Sequence, residues 1–185
     1  MPKIIDHDVM RAELIGGSYA LFARDGFHAV TMRQLAKELG VSTGTLYHYF
    51  ENKSDLFMQM FRHLVERDIG DALAKVADAH TPIERVRGFF EYVQEREEHL
   101  RRMVVLFFDF QRQQSGQHDA PQDFLRVMIR AYRETITSNL GVSDMRLGHM
   151  AMSLILGTLM QRLVDPEGAP LDEVRAFLEE TIQTA

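Results

Sequence analysis

Residues 31–50 read TMRQLAKELGVSTGTLYHYF, and the fold follows from how this stretch is understood. Thr31 is a good helix cap, and Gln34 stands three residues on, the spacing of a capping box. Leu35, Leu39, Val41 and Leu46 are spaced to share one core. Two short helices can cross at a steep angle only where their contact is small and the turn between them can go left-handed. Ala36 supplies the small contact, and Gly40 supplies a turn residue with no Cβ to clash. Ser42 then caps a second short helix ending near Tyr49. The pattern predicts a helix-turn-helix.

The rest of the chain carries apolar residues spaced by three and four, with no sustained alternation, so an all-α fold of about nine helices is expected. A first helix over 8–25 carries Leu14, Ser18, Leu21 and Phe22 on one stripe, with Gly26 placed for a left-handed end. A fourth starts after Asn52 and runs to about Ala79, roughly 40 Å at 1.5 Å per residue. Thr81-Pro82-Ile83-Glu84 is a strong start signal for the fifth. The sixth covers about 100–114, and 115–120 reads as a loop. Pro121 opens a seventh ending at Leu140-Gly141. The eighth spans 144–164 and the ninth 171–184. The Glu95-Arg96-Glu97-Glu98 run reads as a solvated helix face.

Composition narrows the function classes. The 185 residues are 45% hydrophobic and include no Cys, which excludes disulfides and thiolate metal sites. The first residues lack the apolar run of a signal peptide, and no stretch of about 18 uncharged apolar residues occurs. A soluble cytoplasmic protein is expected, with no membrane partner. Net charge is -6. Lys3, Arg11, Arg24, Arg33, Lys37 and Lys53 balance Asp6, Asp8, Glu13, Asp25, Glu38 and Glu51 within residues 1–53, so the acidity lies beyond them. No Gly-x-Ser-x-Gly, phosphate-binding Gly-Lys-Ser/Thr loop or dinucleotide fingerprint occurs, so no enzyme activity and no cofactor are expected. Neither Glu-x-x-His nor His-x-x-x-His is present, and no metal is expected.

Segment 8–68 resembles the DNA-binding domain of the TetR family of transcriptional regulators. The resemblance rests on Leu21-Phe22-Ala23, Gly26-Phe27, Thr31, Leu35 through Ser42, Gly44 through Phe50, Lys53 and Leu56-Phe57, about a third of the chain. It departs at Gly16-Gly17, where Ala is usual; two glycines there cost about 1–2 kcal/mol of helix propensity. The resemblance implies a DNA-binding domain over 8–68, with its helix-turn-helix at 31–50. A ligand-binding and dimerisation domain would occupy 69–185. In such a domain the third helix enters the major groove. Thr43, Gly44 and Thr45 are small enough for close approach, and the two threonines can hydrogen-bond or touch a thymine methyl. Tyr47 and His48 reach base edges or phosphates, and Tyr49 reaches a phosphate. Thr31 and Ser42 sit at helix N-termini, which favour phosphate. Arg33 is expected on backbone or base, and Lys53 is the clearest phosphate cation. Leu46 and Phe50 belong to the core.

The eighth helix, DMRLGHMAMSLILGTLMQRLV, is apolar around almost its whole circumference, so it must be buried on all sides. Either it lies wholly within one subunit's core or one face meets a second subunit. The dimer reading places Gly148, Ser153 and Gly157 at close approach, with Met152, Leu156 and Met160 beside them. Val174, Phe177 and Leu178 of the ninth helix would complete it. The resemblance agrees, implying a four-helix dimer interface from the last two helices. Phe89, Phe90, Tyr92 and Met103 are candidates to line a pocket for a small apolar or amphipathic ligand. So are Phe107, Phe110, Met128 and Tyr132, although aromatic residues at helical spacing also serve as plain core. His99 and Tyr92 are candidate polar contacts. The expected function is a repressor that binds an inverted-repeat operator in double-stranded DNA as a homodimer and is released by ligand. A ligand-responsive activator, a global regulator and a small helical enzyme are the alternatives.

Overall fold

α1 (His7–Ala29) begins at Asp6, whose side chain accepts from the backbone N–H of Asp8 at 3.0 Å and Val9 at 3.3 Å. Its regular course breaks at Gly26, with φ 79° and ψ 161°, as the left-handed end read from the sequence requires. The carboxylate of Asp109 closes that break, accepting from Phe27 N at 2.7 Å and His28 N at 3.3 Å. A Cβ at position 26 would lie 3.1 Å from the same oxygen, so a side chain there would crowd the carboxylate as well as strain the backbone. Gly17 also has a packing reason, since a Cβ would stand 2.5 Å from Leu39 Cδ2. Gly16 faces open space, and nothing in the structure calls for it.

The protein is described by a computed structural model over residues 6–114, 122–140, 145–168 and 170–184. The loop expected over 115–120, Pro121, Gly141 and Asp144 lie outside the described residues. Nine helices occur among the described residues. α2 (Met32–Glu38) opens with the capping box of Thr31 and Gln34, and α3 (Thr43–Tyr49) opens on Ser42. Gly40 between them has φ 68°. α4 (Lys53–Lys75) is four residues shorter at its end than the expectation of Ala79 and about 35 Å long. α5 (Pro82–Glu95) carries the second capping box, Thr81 with Glu84. Hydrogen bonds from His80 N–H first and Thr81 N–H second hold the exposed Glu84 carboxyl below its usual range. α6 (Glu97–Gln114), α7 (Gln122–Leu140), α8 (Met145–Val164) and α9 (Leu171–Gln183) follow.

The chain divides into two compact units. Residues 1–64 and 105–120 make the first; residues 65–104 and 121–185 make the second. The first unit therefore includes a stretch of α6 far beyond residue 68. Its core is aromatic. Phe57 lies edge-on to Phe22 and Phe27 at 5.2 and 4.9 Å between centroids and stacks on Phe110 at 4.6 Å. Such offset and edge-to-face pairs add to the gain from burial alone.

In the second unit α7 packs on α8 and α5 on α9. Val86, Phe90, Val93, Ile136, Ala151, Ile155, Leu159 and Leu178 are buried together. Two residues expected in a dimer interface belong here instead. Leu178 is 2% exposed within this core. Gly148 is buried against Thr137, whose side chain fills the space a Cβ there would occupy. The acidic run also differs from expectation: Glu97 is half-buried and receives Arg162 through two hydrogen bonds of 2.7 and 3.1 Å. At the α5–α6 junction Glu95 and Glu98 stay exposed, while Arg96 and Glu97 turn towards Asp68 of α4 and Arg162 of α8. α8 has the length and apolar content of a membrane span, as buried core helices also do, and Leu147, Ala151, Ile155 and Leu159 enter the core of the unit.

Gly40 is exposed, and no neighbour lies within 4 Å of where its Cβ would stand, so its substitution tests backbone strain alone. Gly40→Ala is expected to lower the unfolding free energy in urea by about 1 kcal/mol, and Gly40→Asn by less. Equal losses would contradict the left-handed requirement.

Candidate nucleic-acid interface

Seven residues are too few for a helix to persist unaided in water, so α3 must be held by what lies under it. Leu46 at 0% exposure and Phe50 at 1% are the anchors, above Leu35 at 0% and Ala36 at 3%. Burying that side turns the other outward. Thr43, Gly44, Tyr47 and His48 are exposed, Tyr47 to 57%, and Thr45 is half-buried. Thr31, Arg33 and Ser42 are exposed as well. The structure thus brings the sequence candidates of α3 onto one accessible face.

Thr31 and Ser42 cap their helices as read from the sequence, whereas Lys53 departs from its reading. Thr31 and Ser42 use their hydroxyls locally: Thr31 Oγ1 donates to Gln34 Oε1 at 2.7 Å, and Ser42 Oγ accepts from Thr45 N at 3.0 Å. They hold the helix starts. Lys53 is not a free phosphate cation. Its ammonium donates to the carbonyls of Phe27 and Val30 at 2.7 Å each and His28 at 3.3 Å, and lies 4.4 Å from the centroid of the Phe27 ring. All three donors are engaged at the carbonyl end of α1, where a cation is favoured. Burial lowers its pKa, with the charge of Asp109 opposing.

Residues outside the motif support it. The Tyr49 hydroxyl and His7 Nδ1 share a hydrogen bond of 2.8 Å, and Arg11 Nη2 donates to Tyr49 O at 2.9 Å. The His48 ring lies 5.7 Å from His7 and 5.1 Å from Tyr49. The start of α1 is thereby tied to the end of α3. The separations of 42 and 38 residues explain why no local pattern announces these bonds.

The candidate pocket residues do not form one lining. Phe107 and Phe110 belong to the first unit, where Phe110 is fully buried among Phe27 and Phe57. Phe110 is therefore corrected from pocket to core. In the second unit Phe90, Met103 and Met128 are buried. Phe90 is a core residue. Phe89 lines an apolar cleft together with Ala72, Leu73, Val76 and Ile136. Tyr92, Tyr132 and His99 gather instead around Asp68, which sequence reasoning missed because a lone Asp within α4 carries no pattern.

A helix-turn-helix with a small-residue, polar outer face on a buried apolar footing defines a DNA-binding transcriptional regulator. Comparison with known proteins gives its family. The profile of bacterial regulatory proteins of the tetR family matches residues 14–60. The HTH-type transcriptional regulator BetI of Brucella canis is 30% identical over 145 residues, covering 76% of this chain and 68% of that one. A transcriptional regulator from Pseudomonas aeruginosa PAO1 superposes with a TM-score of 0.76 at 18% identity, covering 98% of this chain and 92% of its own. One from Saccharomonospora viridis, solved in complex with choline, gives 0.70 at 22% identity over 96% and 97%. The chain belongs to the TetR family.

Lys53→Met keeps the aliphatic stem and removes the charge. It is expected to cost about 1–2 kcal/mol of stability in urea unfolding. The slope of log K against log salt for DNA should stay at the wild-type value. A slope reduced by about one would restore Lys53 as a phosphate contact.

Proposed function

We propose that the protein is a cytoplasmic, non-enzymatic repressor that binds an inverted-repeat operator as a homodimer and releases it when a small molecule binds the second unit. The observation that carries this reading is the outward face of α3, with Thr43, Gly44, Thr45, Tyr47 and His48 accessible above the buried Leu46. Thr43 and Thr45 suit base edges or a thymine methyl, Tyr47 and His48 have the reach for edges or phosphates, and Arg33 lies in the first turn of α2. Tyr49 is half-buried and its hydroxyl is already bonded to His7, so it serves a phosphate only together with that histidine. Few cations stand free on this face, so a shallow salt dependence is expected for DNA binding.

A single recognition helix reads too little sequence, and a dimer would set two of them about 34–36 Å apart. The support for a dimer is a stripe on α8. Met150 (46%), Ser153, Gly157, Met160 (43%) and Val164 (90%) recur at three and four residues and are exposed or, for Gly157, half-buried with open space before it. Phe177 of α9 is 48% exposed, and Met152, Leu156 and Val174 are half-buried. An unpartnered apolar stripe of this length on a soluble regulator calls for a matching surface, and a second copy supplies one by two-fold symmetry.

Release by ligand is supported by the course of α4, which contributes residues to both units. A molecule that binds better to a DNA-incompetent arrangement lowers operator affinity by that preference, and DNA weakens its binding equally. The choline held by the Saccharomonospora viridis neighbour supports small-molecule binding in this fold.

Footprinting across promoters near the gene tests the reading: protection of an inverted repeat overlapping promoter elements is expected, and protection only upstream of them would favour an activator. Tyr47→Ala should weaken operator binding by about 1–3 kcal/mol. Met160→Glu combined with Val164→Glu should yield a folded monomer by sedimentation equilibrium that no longer binds the full operator. A variant that remains dimeric would move the interface elsewhere.

A further inference from the structure

Helices α4, α5 and α7 set two features of the second unit one helical turn apart. At one level lies a largely apolar cleft, about 20 Å³, with Ala72 from α4, Arg85 and Phe89 from α5 and Thr135, Ile136 and Asn139 from α7 on its wall. A space of this size admits about one water molecule. Three or four residues along the same helices, and so on the same faces, stand Asp68, Tyr92 and Tyr132. The Tyr92 and Phe89 rings, 6.5 Å apart, join the two levels.

Asp68 is 1% exposed, an extreme position for a carboxylate. His99 Nε2 donates to both of its oxygens at 3.0 Å, and the Tyr132 hydroxyl reaches Oδ2 only at 3.4 Å. Arg96 Nη2 stands 3.6 Å from Oδ1, too far for a hydrogen bond, and 3.9 Å from Asp71. A carboxylate offers about four acceptor sites, so this one is under-satisfied for its burial. Two carboxylates also share the one guanidinium of Arg96, and His99 adds a second positive charge only when it is protonated. Beside them Tyr92 is 5% exposed, its hydroxyl lies near the Arg96 guanidinium without a well-aligned hydrogen bond, and Arg96 Nε has no partner among the described residues. Buried polar atoms are normally paired. Burial first, and the charge of Asp68 second, raise the Tyr92 and Tyr132 phenols well above their usual range. Both remain neutral hydroxyls in a negative field.

We propose that Asp68, Tyr92 and Tyr132 form the polar end of an effector site for a small organic cation whose apolar substituent enters the cleft beside Phe89. The cationic head takes the acceptor sites of the buried Asp68 carboxylate that His99 and Tyr132 leave unused, among the tyrosine rings, where an aromatic quadrupole favours positive charge, and Arg96 passes to Asp71. The apolar group widens the cleft by displacing the half-buried Phe89. An anionic head of the same size meets Asp68 and is rejected. A metal ion is a poor occupant, since hard cations need about six oxygen ligands, and no cluster of three or more His, Cys, Asp or Glu side chains occurs among the described residues. This inference rests on the reading of the second unit as the effector domain and gives that effector its chemical class.

The test is calorimetric titration of the full chain, without DNA, with tetramethylammonium, butyltrimethylammonium and octyltrimethylammonium, and with octanoate and octanol as controls. Affinity is expected to rise about tenfold or more across the ammonium series and to exceed that for octanoate and octanol. Asp68→Asn should weaken octyltrimethylammonium binding by about tenfold or more, and Ala72→Leu, which fills the cleft, should abolish the gain with chain length. Equal binding of octanoate or octanol, absence of ammonium binding, or a folded Asp68→Asn with wild-type affinity would each overturn the proposal. If Asp68→Asn does not fold, the comparison of cation with octanoate and octanol on the wild-type chain decides. Operator binding by the unliganded chain is measured separately, so its failure strikes the regulator reading, whereas loss of cation selectivity alone strikes only this one.

Discussion

The burial of Leu46 and Phe50 beneath α3 is what the rest of the molecule's activity depends on. A helix of seven residues gains too little from its own hydrogen bonds to persist in water. It exists here because two buried apolar side chains hold it against α2 while Ser42 caps its start. The pinning also fixes which side faces out. Because Leu46 must point inward, Tyr47 and His48 point outward, and their chemistry becomes available to a duplex. Gly40 allows the two helices to meet at the required angle, and Gly26 with Asp109 sets where the regular course of α1 breaks.

The second unit follows a different logic. Beside the apolar interior of α5, α7, α8 and α9 it buries Asp68, with His99, two tyrosines and Arg96 around it. Replacing such a group with well-packed apolar residues is often neutral or stabilising. A polar cluster placed one turn from an apolar cleft is therefore the basis of the effector site proposed above.

What was legible in the sequence was what is encoded locally. The caps at Thr31, Ser42 and Thr81 and the left-handed glycines 26 and 40 act within a few residues, and each stands where its neighbours implied. Lys53 reads from the sequence as a free cation because its partners, the carbonyls of residues 27, 28 and 30, lie more than twenty residues away and become neighbours only in the fold. The same distance hid His7 beside Tyr49 and His99 beside Asp68. In α8 an all-round apolar pattern gave burial but not direction. Gly148 turns to Thr137 within the subunit, while Met160 and Val164 stay outside, and only packing separates the two faces. Phe107 and Phe110 looked like pocket residues because periodicity does not show which compact unit a helix segment serves.

Backbone hydrogen exchange with and without operator DNA most directly examines whether α3 is the reading element. Slowed exchange confined mainly to residues 42–50 and the start of α2, with 82–95 unchanged, is the predicted result. Exchange at 42–50 that is the same with DNA as without it, or protection appearing only elsewhere in the chain, would contradict the placement of the reading face on α3.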